Sequence, residues 1–103
     1  MAFIRGNVYF IDLGYGEKPF VVVSNNQRNR SLGSALAVRI TTTPKPSLAS
    51  IVELGLTEPV IGKVLCDDIE TIYDDEPHRH AGALSPAALA GVGLSLKIAL
   101  ALR

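Results

Sequence analysis

The sequence predicts a mainly β fold: a small, strongly bent antiparallel barrel with a helix at its C-terminal end. Three observations carry this. Short β-rich runs follow one another closely along the chain. Glycine and proline clusters punctuate them. The last stretch changes to a helical period. With 103 residues, a single domain spanning 1–103 is expected, and its core must be thin.

Asn7–Leu13, "NVYFIDL", is rich in strand formers. "FVVVSN" after it is a continuous apolar run, the pattern of a central strand covered on both faces. Gly14 and Gly16 mark the connection, which is short enough to make the pair an antiparallel hairpin. "QRNRSLGS" is polar and reads as loop. Leu36–Thr42 is the third strand, and the two prolines of "PKPS" end regular structure. Ser50–Leu54 is a fourth strand, and Val60–Tyr73 continues the sheet with Gly62 as a bulge or tight bend. "DDEPHRH" reads as an acidic turn followed by two histidines.

The final helix starts at Ser85, whose hydroxyl is a good N-cap, with Pro86 at the first helical position. Leu89, Val92, Leu96 and Leu100 build an apolar face. Ile98, Ala99 and Ala101 extend apolarity beyond that face, which predicts extensive burial or a subunit contact. Gly91 and Gly93 lower helix propensity by up to about 1 kcal/mol each, and close helix packing is one reason to keep them.

Net charge is zero, which excludes binding nucleic acid through bulk charge alone. The halves differ. Residues 1–45 carry six cations and two acids; residues 46–103 carry four cations and eight acids. A local anion-binding surface is therefore compatible with the first half. The lone cysteine, Cys66, lies in the apolar run "GKVLCDD" and reads as a buried structural thiol. One cysteine and no leader sequence predict a reducing cytoplasm. Ala87–Leu102 is too short and too interrupted to span a membrane.

Read in order, "IRGNVYFIDLG", "KPFVVVSNN", "LAVRITTT", "GKVLCDDIETI" and "LSPAALAGVGLSLKIAL" resemble the MazF/PemK (Kid) toxins over nearly the whole chain. The resemblance implies an SH3-like barrel of five to seven strands with a C-terminal helix, shared with CcdB-type toxins. It implies a homodimer that cuts single-stranded RNA at short sequences with no metal or other cofactor. It also implies a cognate antitoxin whose acidic and hydrophobic tail wraps over a basic groove.

Carried over by position, the resemblance makes Lys18, Thr41 and Asp67 the catalytic candidates, with Thr42 and Asp68 beside them. Lys18 stands where the family has arginine; Leu65 stands at a second arginine position, and Glu70 replaces a basic residue. The loop between the first two strands is shorter than usual. Metal-free RNA cleavage needs a base for the 2′-OH, a proton donor for the leaving 5′-oxygen and cations around the phosphorane. Lysine can bind phosphate as a point charge, without the bidentate fork of arginine. Arg28, Arg30 and Arg39 are candidates to supply the missing charge, and Arg39 shares a strand face with Thr41. Tyr15, in the glycine turn, is the aromatic candidate for stacking an RNA base. Tyr9 and Phe20 read as core. His78 and His80 share a face if extended, but no further His or Cys ligands cluster nearby. Asp67 and Asp68 on a regular strand point to opposite faces, so they are no metal pair. The competing reading is a non-cleaving module on the same fold that binds an antitoxin or poisons a protein target.

Overall fold

The computed structural model describes residues 3–103. The elements are β1 (Asn7–Asp12), β2 (Glu17–Val22), α1 (Asn26–Leu32), β3 (Ser34–Thr41), β4 (Ile51–Glu53), β5 (Lys63–Tyr73), β6 (His78–Ala83) and α2 (Pro86–Ala99). The six strands form one antiparallel sheet in the order β4-β5-β3-β2-β1-β6. The expected barrel is not closed, because the edge strands β4 and β6 do not pair. The loop from Leu54 to Gly62 leads back to β6. A Cβ on Gly82 of β6 would lie 2.7 Å from Pro59, and Glu58 bonds the start of α2.

Strand alternation sorts the apolar residues into two clusters. Val8, Val21, Val38, Ile40, Val64 and Cys66 pack with Val92 of α2 on one face. Tyr9, Ile11, Phe20, Val22, Ala35 and Ala37 pack with Phe3 and Ile72 on the other. β2 is therefore covered on both faces, as its unbroken apolar run requires. Each fully buried aliphatic side chain stabilises the fold by about 1.5–3 kcal/mol.

Two elements escape the hydrophobic pattern. The segment read as polar loop holds α1. Asn25 caps it by accepting from the Arg28 backbone N–H at 3.1 Å, and Gly33 closes it in the left-handed region at φ 63°. Its one buried residue is Asn29, so no apolar period announces it. β6 occupies the histidine segment and pairs with β1; an edge strand facing solvent does not need apolar alternation.

α2 begins as expected, with the Ser85 hydroxyl accepting from the Ala88 N–H at 3.1 Å. It packs against β4 and β5. Val92 and Ser95 are buried, whereas Leu94, Ile98, Leu100 and Leu102 are exposed. Packing does not require its glycines: a Cβ on Gly91 would make ordinary contact with Val52, and one on Gly93 would meet open space. No helix among the described residues is long and apolar enough to cross a membrane.

Candidate active site

The site begins with a proline. Pro19 has no N–H, and the β2–β3 ladder runs only from Val22–Ala37 to Phe20–Arg39. Beyond that pair the strands part, and a cleft of about 220 Å³ opens between them. Its lining includes Lys18, Arg39, Thr41 and Thr42, so four of the nine residues singled out in the sequence meet in one place. Lys18 belongs to β2 itself and is not a turn residue.

Each polar group arrives differently. Thr41 is buried, and its Oγ1 accepts from the Thr43 N–H at 3.1 Å, which leaves its own proton free to donate. Arg39 is half-buried, and its Nε is buried with no hydrogen-bond partner among the described residues. An N–H left unmet in this way costs about 1–3 kcal/mol and is an open donor for an anion. Glu17 and Ile61 also line the cleft and were not singled out in the sequence. The Glu17 carboxylate is engaged by Arg79 at 2.8 Å, and the Arg79 guanidinium lies 4.3 Å from the Phe10 ring centroid.

Asp67 and Asp68 lie elsewhere. They border a neighbouring hollow of about 380 Å³ with Lys45, Leu48, Ile51 and Leu65. The expectation that the pair points to opposite faces assumed a regular strand. The β3–β5 register instead jumps between Val38–Ile69 and Arg39–Leu65, so Cys66, Asp67 and Asp68 fall in the irregular stretch. β5 is two strands from Lys18, a backbone spacing of about 10 Å.

Arg28 and Arg30 sit on α1, at the opposite end of the β2–β3 pair from the cleft. Arg28 donates through Nη1 to the Ser34 carbonyl at 2.8 Å; Arg30 is exposed in the last turn. Tyr15 is 57% exposed at the tip of the β1–β2 hairpin. Asp12 shapes that tip by accepting from the Gly14 and Gly16 N–H groups at 2.8 and 3.0 Å.

The histidines have packing roles. His78 meets the Tyr9 ring edge-on and packs at a tilt against Phe3, His80 packs at a tilt against Tyr9, and His78 Nδ1 lies 2.7 Å from the Glu76 carbonyl. No three His, Cys, Asp or Glu side chains converge among the described residues. Cys66 is fully buried; desolvation, and then the charge of Asp67, push its thiol up to about 11, which keeps it a poor nucleophile.

A family model described as PemK-like, MazF-like toxin of type II toxin-antitoxin system matches residues 4–100. The chain belongs to this family. It is 42% identical over 99 residues to Endoribonuclease MazF4 of Mycobacterium tuberculosis, covering 96% of this chain and 93% of that protein. The same figures hold for Endoribonuclease MazF1 of Mycobacterium bovis. A solved mycobacterial endoribonuclease in complex with its cognate antitoxin superposes with a TM-score of 0.94 at 42% identity, covering 99% of this chain and 98% of that one. MazE-MazF of Deinococcus radiodurans, at 21% identity and a TM-score of 0.86, covers 100% of this chain and 99% of that one; it shares the fold. In this MazF-like chain, Lys18, Arg39 and Thr41 line one cleft.

Proposed function

We propose that this protein is a MazF-type toxin that cleaves single-stranded RNA at short sequences without a metal, and that a cognate antitoxin silences it. The observation that carries the reading is the convergence of Lys18, Arg39 and Thr41 on one cleft, in a chain 42% identical over nearly its whole length to named endoribonucleases.

The cleft holds the reacting phosphate. Arg39 and the Thr41 hydroxyl donate to its non-bridging oxygens. The 2′-oxygen loses its proton and bonds phosphorus; the bond to the 5′-oxygen breaks, and Lys18 protonates that leaving oxygen. The products are a 2′,3′-cyclic phosphate and a 5′-hydroxyl. The 2′-OH proton passes to solvent water, because Asp67, in the neighbouring hollow two strands from Lys18, is out of hydrogen-bond reach. Asp67 is proposed as a positioning carboxylate. From the neighbouring hollow it requires the RNA to run from the cleft across Leu65, with Thr42 and Asp68 along the same path. Tyr15 and the α1 arginines contact the strand farther out.

The antitoxin's acidic, apolar tail covers this same surface. The protein is a homodimer joined through the outer face of α2, where Leu94 and Ile98 are each more than half exposed, and through Leu102 beyond the helix end, which is exposed as well. It acts in the cytoplasm, where its RNA substrate is. Purified protein is expected to cut a mixed panel of single-stranded RNAs in the presence of chelator, and Lys18→Ala to lower kcat about 100-fold or more with its melting temperature unchanged. A wild type that cuts nothing while still binding its antitoxin would instead establish the non-cleaving module.

A further inference from the structure

Glu17 is the acidic residue in the wall of the cleft. Left free, a carboxylate there would compete with a phosphate for Lys18 and Arg39. It is not free. Its Oε1 accepts from Arg79 Nη2 at 2.8 Å, and this is the one ion pair among the described residues. Arg79 lies 62 positions away in the chain and does not itself line the cleft.

Three neighbouring strands build this contact. Arg79 of β6 pairs with Phe10 of β1, and Phe10 pairs with Pro19 of β2. Glu17 lies two residues before Pro19, on the same face of β2. The Arg79 guanidinium sits over the Phe10 ring, 4.3 Å from its centroid, and reaches Glu17 from there. Attraction to the ring holds the guanidinium in place, so less freedom is lost when the ion pair forms. Asp12 stands opposite Glu17 in the β1–β2 register, and like charges in that relation repel. Asp12 is tied to its own turn, where it accepts from the Gly14 and Gly16 N–H groups at 2.8 and 3.0 Å. Without Arg79, Glu17 is repelled by Asp12 and drawn toward Lys18 and Arg39, which have no ion-pair partner among the described residues.

We propose that Arg79 is a positioning residue for RNA binding: it holds the Glu17 carboxylate at the rim of the cleft, so that Lys18 and Arg39 stay open to the phosphate. The inference rests on the RNA-cleaving reading and adds to it a residue that touches no RNA. Arg79 acts through Glu17 alone. Once it is removed, a pair between Glu17 and Lys18 or Arg39 has to break each time a phosphate enters. The loss therefore falls on binding. Once the phosphate is seated, Glu17 is displaced and the chemical step proceeds as before.

The test is a double-mutant cycle in the full-length protein. It is read as the Kd for a single-stranded 2′-fluoro RNA, which has no 2′-OH to attack, and as KM and kcat on the unmodified RNA. Arg79→Met keeps an apolar stem over Phe10 and removes the charge. The ion pair is on the surface, so all four proteins are expected to fold, which their melting temperatures check. Arg79→Met is expected to weaken binding and raise KM about fivefold, with kcat changed less than about twofold. Glu17→Gln alone is expected to change Kd less than about twofold, yet to return Arg79→Met to the wild-type Kd. Additive effects overturn the proposal, because each charge then acts on RNA independently. So does a defect in Arg79→Met that Glu17→Gln leaves in place, which makes Arg79 a direct RNA contact. An unchanged Kd in Arg79→Met overturns it as well. A wild type that cuts no unmodified RNA removes the cleavage reading itself, a result distinct from these because the Kd cycle is read without cleavage.

Discussion

Arg28 and Arg39 sit at opposite ends of the β2–β3 pair, and their guanidinium groups meet opposite surroundings. At the α1 end, Arg28 donates to the Ser34 carbonyl and hydroxyl at 2.8 and 3.3 Å. Beside it the Asn29 amide accepts from the Ser24 hydroxyl at 2.6 Å and donates to the carbonyls of Phe3 and Ser24 at 3.2 Å each. At the cleft end, the buried Nε of Arg39 has no partner among the described residues. One end of a strand pair is closed by satisfied polar groups, and the other is held open with a donor in reserve. Polar residues that stabilise the fold and polar residues available for binding are thus distinguished by bonding, where residue type alone does not separate them.

The sharpest way to break this contrast is at Asn29. Replacing it with alanine takes the amide donor from the Phe3 and Ser24 carbonyls and leaves the Ser24 hydroxyl only the Leu36 carbonyl, at 3.5 Å, to donate to; this is expected to cost about 3 kcal/mol by denaturant unfolding, with RNA cleavage per folded molecule unchanged. Gly62→Ala comes next. The clash of a Cβ there with the Thr41 carbonyl oxygen, 2.6 Å away, and the strained φ of 129° are expected to cost about 2 kcal/mol and to lower cleavage as well, because Thr41 is the residue displaced. Arg39→Gln reverses the pattern: cleavage falls about tenfold, equivalent to about 1.4 kcal/mol, while unfolding stability holds or rises.

The smallest effect concerns Glu58. Hydrogen bonds from the Ser85 hydroxyl, at 2.6 Å, and the Ser85 N–H, at 2.8 Å, hold its carboxyl below the usual range. A carboxyl that titrates lower folded than unfolded contributes stability above its unfolded value, and that contribution disappears as pH falls through the folded value. Glu58→Gln is expected to lower the melting temperature by about 2 °C at pH 7, with the two proteins converging as the pH falls through the lowered folded value of the Glu58 carboxyl.

Strands and the C-terminal helix were legible because apolar alternation and capping residues are local. α1 was missed although Asn25 and Gly33 mark both its ends: a helix that buries only an asparagine has no hydrophobic period to find. β6 was missed because its strand character comes from pairing with β1, not from its own side chains. In the site, the family resemblance supplied Lys18, Thr41 and Thr42, and strand geometry added Arg39, because alternate residues of a regular strand share a face. Asp67 could not be placed, because the jump in the β3–β5 register depends on two strands at once. The linkage between Glu17 and Arg79 spans 62 positions and has no local signal.

The segment from Leu54 to Gly62 touches three parts of the molecule within nine residues. Glu58 accepts from Ser85, the N-cap of α2, Pro59 packs on Gly82 of β6, and Gly62 lies against Thr41. Surface loops ordinarily accept inserted residues, tags and fused domains well. This one is a poor acceptor: lengthening it would loosen the helix start, the edge of the open sheet and the floor of the cleft together. The hairpin tip at Tyr15, where Asp12 accepts from the Gly14 and Gly16 N–H groups within the turn, tolerates an insertion structurally, at the cost of the proposed Tyr15 contact to RNA.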